Sequence, residues 1–150
     1  MNIKRVKQGA MITFYNGIYM ILLGIYFILL KNFNMSANFD VISELWGFFH
    51  RYSYKIAYLF FLFNILLGIF FISIGIFIIY LSDFIYKRKE KMTWVVLFLG
   101  GITVWGGILI MSILFKNIYL IILSFIGWLS FVFGMLLPIK YYIEKPYREY

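Results

Sequence analysis

The side chains best suited to chemistry inside the apolar segments of this chain are two asparagines, Asn16 and Asn64. An amide side chain donates and accepts hydrogen bonds, so in hydrocarbon it needs a polar partner. Two interpretations follow: each asparagine bonds a backbone carbonyl or a tyrosine of a neighbouring helix, or it contacts a substrate or ion. Their depths in the membrane differ by about 13 Å, which excludes a direct pair.

Other catalytic and metal-ligating residue types are scarce. The chain has no cysteine, which excludes disulfides, thiolate metal sites and cysteine nucleophiles. Its one histidine, His50, is interpreted as an interfacial side chain, with a pH or metal role as the alternative. No Asp, Glu, Lys, Arg or His lies in the interior of a predicted span, which argues against proton relays, pumps and intramembrane enzymes. We therefore expect no enzymatic activity, no catalytic residue, no metal site and no cofactor.

The elements that must position these residues are long apolar segments. Of the 150 residues, 64% are hydrophobic and 13% charged, whereas a soluble domain carries about 25% charged residues. A helix that crosses a bilayer takes about 20 residues. The sequence therefore predicts an all-α integral membrane protein with one transmembrane domain over residues 1–150. The four expected spans are 10–30, 56–80, 93–115 and 118–140.

The boundary between the last two spans follows from length. From Trp94 to Leu137 the only charged residue is Lys116. One helix of this length would reach about 66 Å, against a hydrocarbon thickness of about 30 Å. The chain must therefore turn back, and Lys116-Asn117 is the predicted turn. The resulting fold is an antiparallel four-helix transmembrane bundle.

The distribution of basic residues predicts the orientation of the bundle. Ten of the fourteen lysines and arginines lie in the N-terminal leader, the KRKEK loop and the C-terminal tail. Since cytoplasmic segments are enriched in these residues, we expect a multi-pass cell-membrane protein with both termini cytoplasmic. The loop is also a candidate lipid or partner surface. Its basic residues are Lys87, Arg88, Lys89 and Lys91.

Two further local patterns flank the second span. Asp83 precedes Lys87 by four residues, which predicts a pair on the helix surface. Before this span, residues 39–53 in the first outer loop carry the pattern of an amphipathic helix, with Trp46 on its apolar arc and His50 on its polar arc. We expect an interfacial helix that covers the rim of the bundle; a gate or a partner-docking helix is the alternative. Trp46 and His50 are accordingly candidate contacts to lipid or to a partner.

Each span contains one pair of glycines seven residues apart. Such a pair lies on one stripe of a helix. Small residues let helix backbones approach in lipid, where tails are as apolar as leucine and hydrophobicity does not drive association. The spacing predicts contacts between spans at a crossing angle of about +20°. The pairs are Gly17/Gly24, Gly68/Gly75, Gly100/Gly107 and Gly127/Gly134.

The last two spans allow a finer prediction. Reflection through the predicted turn sets small residues of one span level with those of the other. We expect these two stripes to face each other, with a mid-membrane hydrogen bond between Thr103 and Ser130 of about 0.6 kcal/mol. The residues at equal height are Gly100 and Gly134, Thr103 and Ser130, and Gly107 and Gly127.

Two tryptophans, Trp105 and Trp128, fall near the midplane, although tryptophan favours the membrane interface. One interpretation is that they fill space against the first two spans or a partner. The other is that they line a pocket for an apolar ligand.

These patterns together predict a small non-enzymatic polytopic membrane protein that acts through helix packing. It would be an accessory or assembly subunit of a membrane complex, or a homo-oligomer. Its expected partners are membrane lipids and another membrane protein or a second copy, and not nucleic acid. The alternative is a small oligomeric channel or transporter for a neutral or apolar solute, with Asn16, Asn64 and the span serines lining a path between protomers.

Overall fold

The apolar segments fold as helices that end where charged or helix-breaking residues interrupt them. The computed structural model describes residues 2–30 and 51–144. Four of its helices are long and apolar enough to cross a membrane, which confirms the predicted helical class and the predicted number of candidate spanning helices. The helices are α1 (Asn2–Leu29), α2 (Tyr54–Arg88), α3 (Lys91–Leu114), α4 (Ile118–Leu136) and the short α5 (Ile139–Glu144).

The predicted interfacial helix lies mostly outside the described residues. It was expected over residues 39–53, and the structure describes the chain again from residue 51. Trp46 and His50 fall in the part that is not described, so their proposed contacts with lipid or a partner stay predictions.

Two lysines in left-handed backbone conformation make the connections at both ends of α3. Lys89 follows α2 with φ 56°, and Lys116 lies between α3 and α4 with φ 49°. Asn117 then caps α4, because its Oδ1 accepts a hydrogen bond of 3.3 Å from the Leu120 amide. The chain reverses at Lys116-Asn117, as the length argument predicts.

The fourth spanning helix ends earlier than the predicted residue 140. It ends at Leu136 because Pro138 has no amide hydrogen for the helical hydrogen bond. The short α5 then returns to the bundle, and the Tyr142 ring stacks on Trp94 with 5.2 Å between centroids. Burial, assisted by the neighbouring Tyr141, raises the pKa of the Tyr142 hydroxyl above its ordinary value, so this phenol is neutral at physiological pH.

Helix α1 makes the most extensive contacts with the other helices of the bundle. It packs most extensively along α2 and, with another face, on α4 and α5. Helix α3 packs on α4 and touches α2 only slightly. The core therefore lies between α1 and its neighbours, and its large buried side chains include Met20, Trp105 and Phe131.

The contact between α1 and α2 is a contact of backbones. A Cβ added to Gly17 would lie 2.9 Å from the Gly75 carbonyl oxygen, and one added to Gly24 would lie 2.5 Å from that of Gly68. The reciprocal distances, from Cβ positions on Gly68 and Gly75, are both 2.7 Å. These two glycine pairs therefore face each other, and their order along the chain shows that α1 and α2 are antiparallel.

We expect Gly24→Ala to destabilise the protein by about 1–3 kcal/mol, because the added methyl group must displace the α2 backbone. Gly106→Ala is the matched control, since a Cβ at Gly106 would meet no described heavy atom within 4 Å outside its own helix backbone. Unfolding of both variants in detergent micelles would measure the difference. Equal stability of the two variants would contradict the close α1–α2 contact.

Candidate functional site

Three helices meet at one side chain, Asn16 of α1. It is 2% exposed. Its Nδ2 donates to the Gly127 carbonyl at 2.8 Å and to Ser130 Oγ at 2.7 Å, both on α4. Its Oδ1 accepts from the indole Nε1 of Trp105 on α3 at 2.9 Å. Protein groups therefore bond both the nitrogen and the oxygen of the amide. This matches the interpretation in which the asparagine bonds a neighbouring helix, rather than the one in which it contacts a substrate or ion.

Aromatic rings fill the space around this amide. Trp105 is fully buried and its ring lies over Gly127, where a Cβ would collide with it. The ring also stacks against Tyr19 of α1, with 5.9 Å between centroids. One turn away, Phe131 of α4 covers Gly101 of α3 in the same manner. At this level the two glycines make room for aromatic rings of the facing helix.

The predicted contact between the glycine stripes of α3 and α4 is wrong. Among the described residues, an added Cβ at position 100 or 107 has no heavy atom within 4 Å outside its own helix backbone. Thr103 is exposed, and its Oγ1 donates to the Leu99 carbonyl of its own helix at 2.9 Å. Ser130 pairs with Asn16 instead of Thr103. The face that packs on α4 carries Gly101 and Trp105.

The reason for this rotation of α3 is the indole of Trp105. An indole N–H that faces lipid has no hydrogen-bond acceptor, and leaving it unpaired in hydrocarbon is costly. Turned inward, it reaches Asn16, and its flat ring fills the space left by Gly127. The predicted heights along the two helices are close to those observed; the angle about the α3 axis is what differs.

The second asparagine, Asn64 of α2, lies elsewhere and is 1% exposed. Its Nδ2 donates to the Phe27 carbonyl of α1 at 2.7 Å. Its Oδ1 has no partner among the described residues. The structure therefore keeps Asn16 and Asn64 in separate contacts, both of which join α1 to a neighbouring helix.

The remaining α4 glycine, Gly134, lies against α1. An added Cβ would meet Thr13 Oγ1 at 2.8 Å, and Gly9 of α1 approaches the Gly134 carbonyl so closely that its own Cβ would lie at 2.5 Å. Nearby, Ser82 Oγ of α2 donates to the Ala10 carbonyl. Sequence analysis by seven-residue spacing missed Gly9 and Gly101, neither of which has a glycine seven residues away.

Among the described residues, nothing packs on the glycines of the outward face of α3. Gly100, Thr103 and Gly107 follow one stripe, and all three are exposed. Large apolar side chains extend this stripe in both directions, with Val96 57% and Ile110 59% exposed. Of the four spanning helices, α3 is the least buried.

The predicted basic loop residues lie at the junction of α2 and α3. Lys87 Nζ and Asp83 Oδ2 are 2.7 Å apart, which confirms the predicted pair. The Arg88 guanidinium lies 4.7 Å from the centre of the Phe84 ring, Lys89 makes the turn, and Lys91 begins α3.

The second tryptophan predicted near the midplane, Trp128 of α4, is half-buried and packs against the core.

Metal chemistry has no cluster of ligands in the described ranges, where no three His, Cys, Asp or Glu side chains converge. In comparisons with known proteins, the chain matches no protein-family model, no curated protein and no solved structure. The site is therefore interpreted from its own geometry.

We expect Asn16→Leu to destabilise the protein by about 2 kcal/mol, because three inter-helix hydrogen bonds of about 0.6 kcal/mol each are lost. Asn64→Leu is the matched control: it removes one such bond and should cost about 0.6 kcal/mol. Unfolding in micelles would compare the two variants. Equal losses would contradict the role of Asn16 as the residue that ties α1 to α3 and α4.

Proposed function

We propose that this protein is a small non-enzymatic membrane protein that acts through lateral helix contacts. It serves as an accessory or assembly subunit of a membrane complex, or it associates with copies of itself. Its surface contacts are with lipid and with the apolar helix of a partner.

The observation that carries this proposal is the outward stripe of Gly100, Thr103 and Gly107 on α3. Glycines at the same spacing on α1 and α2 bring two backbones together within this chain. On α3 the same spacing faces away from the bundle, on the least buried spanning helix. A helix of another membrane protein, or α3 of a second copy, gains the close approach that small residues permit.

The filled interior also supports this function. Asn16 is engaged by three protein groups, and Trp105 occupies the space over Gly127. The channel alternative needs Asn16 and Asn64 to line a path between protomers, whereas both side chains are buried in contacts between helices of one protomer. Packing is therefore a better use of these residues than conduction.

We expect the protein to purify from its native membrane in mild detergent with a stoichiometric membrane partner or as a dimer or larger oligomer. Gly107→Ile should weaken this association by about tenfold or more, because the branched side chain holds the partner backbone away; tenfold corresponds to about 1.4 kcal/mol. Native mass spectrometry and quantitative co-purification would measure it.

The control for this experiment is Ser73→Ile, which makes a similar enlargement on α2. Ser73 is exposed, and among the described residues its hydroxyl donates only to the Ile69 carbonyl of its own helix. Association that survives Gly107→Ile as well as it survives Ser73→Ile would contradict the proposal. Solute flux into liposomes that Asn64→Leu abolishes would instead favour the oligomeric channel.

The proposed orientation, with both termini cytoplasmic, has a direct test because the chain contains no cysteine. We expect Lys116→Cys to react with a membrane-impermeant maleimide on intact cells. Lys4→Cys and Lys89→Cys should react only after permeabilisation, since the positive-inside rule assigns them to the cytoplasm. The opposite labelling pattern would contradict the proposal and place both termini on the outer side of the membrane.

A further inference from the structure

A cleft of about 280 Å³ opens between the first half of α1 and the last turns of α2. Two of its lining residues join the helices there, because Ser82 Oγ donates a hydrogen bond to the Ala10 carbonyl. The wall is mainly apolar and aromatic. The lining residues are Ala10, Met11, Phe14 and Tyr15 of α1 and Ser82, Asp83 and Tyr86 of α2.

This cleft lies at the basic end of the bundle. Helix α1 begins here and α2 ends here, so the cleft is next to both the N-terminal leader and the KRKEK loop. Basic residues outnumber acidic ones at this end in the part of the chain that the structure describes. The basic residues are Lys4, Arg5, Lys7, Lys87, Arg88, Lys89, Lys91 and Lys140.

Each of the two helices carries a lysine, Lys7 on α1 and Lys87 on α2, whose ammonium group contacts a residue that lines the cleft. Lys7 Nζ lies 5.5 Å from the centre of the Tyr86 ring. Lys87 Nζ lies 2.7 Å from Asp83 Oδ2. Tyr86 and Asp83 both line the cleft, so each ammonium group lies next to a lining residue. The group of Lys7, Asp83 and Lys87 carries a net positive charge.

We propose that the cleft binds one anionic phospholipid, with the headgroup phosphate at Lys7 and Lys87 and part of an acyl chain along Met11, Phe14 and Tyr15. Charge complementarity selects the headgroup, and basic pockets between transmembrane helices bind anionic headgroups for this reason. The apolar wall selects a lipid over a free phosphate ester. This inference goes beyond the lateral helix contacts proposed above and does not depend on them.

The size of the cleft fits partial enclosure of such a lipid. Sites that enclose a small ligand measure about 300–1,000 Å³, and this cleft lies just below that range. It therefore takes one stretch of acyl chain beneath the headgroup, while the rest of the lipid stays in the bilayer.

The test is a titration of the purified protein in detergent, followed by native mass spectrometry. Phosphatidylglycerol should bind, and phosphatidylcholine with the same acyl chains should bind much more weakly. Lys7→Gln/Lys87→Gln should weaken phosphatidylglycerol binding about 30-fold, and Lys7→Gln alone about fivefold. Both lysines are exposed, so the single variant keeps the experiment informative if the double variant folds poorly.

The matched control is Arg88→Gln/Lys140→Gln, which removes the same charge from the same end but from residues that do not line or touch the cleft in the recorded contacts. It should retain most of the binding. Equal losses in the two double variants would overturn the site, because the attraction would then be diffuse. Equal binding of phosphatidylcholine, or competition by water-soluble glycerol phosphate, would overturn the anionic lipid as the occupant.

Discussion

The fold depends on the backbone contact between α1 and α2. Two glycine pairs bring these helices so close that a methyl group on any of the four residues would overlap the opposite backbone or side chain. In lipid the association of helices draws on dispersion and hydrogen bonding, since apolar side chains gain little by leaving lipid tails. The resulting helix pair is the platform on which α4 and α3 are placed.

The polar groups of the interior then determine how the remaining helices sit on that platform. Asn16 has one amide and three partners, and these partners belong to α3 and α4. Because an unpaired N–H or C=O is costly in hydrocarbon, the two helices must present those groups toward α1. Asn64 makes a simpler contact, with the Phe27 carbonyl further along α1. One helix therefore carries both buried asparagine contacts.

The residues exposed on the surface of the bundle follow from how the interior packs. Because Trp105 faces inward, the small residues on the opposite face of α3 must face outward. These residues are Gly100, Thr103 and Gly107. A helix with glycines toward lipid exposes little side-chain surface there, and this is the surface on which the proposed association rests. At the basic end, a mainly apolar cleft between α1 and α2 lies beside Lys7 and Lys87. Both features suit a protein whose contacts are lateral.

Apolar run length and charge placement were enough to predict the helical class, the number of spanning helices and the reversal at Lys116-Asn117. These properties depend on bilayer thickness and on the cost of burying charge, which act on each segment by itself. The Asp83–Lys87 pair belongs to the same group, because it lies within one helix.

The rotation of each helix about its axis was decided by the tertiary structure. Helices that are apolar on every face have no polar side to mark the outside, so glycine spacing identified the inward face of α1 and α2 but the outward face of α3. What separates the cases is a partner supplied by another helix: the Trp105 indole finds its acceptor on α1 and its space over α4. That acceptor lies 89 positions away in the chain, and no periodicity within α3 contains it.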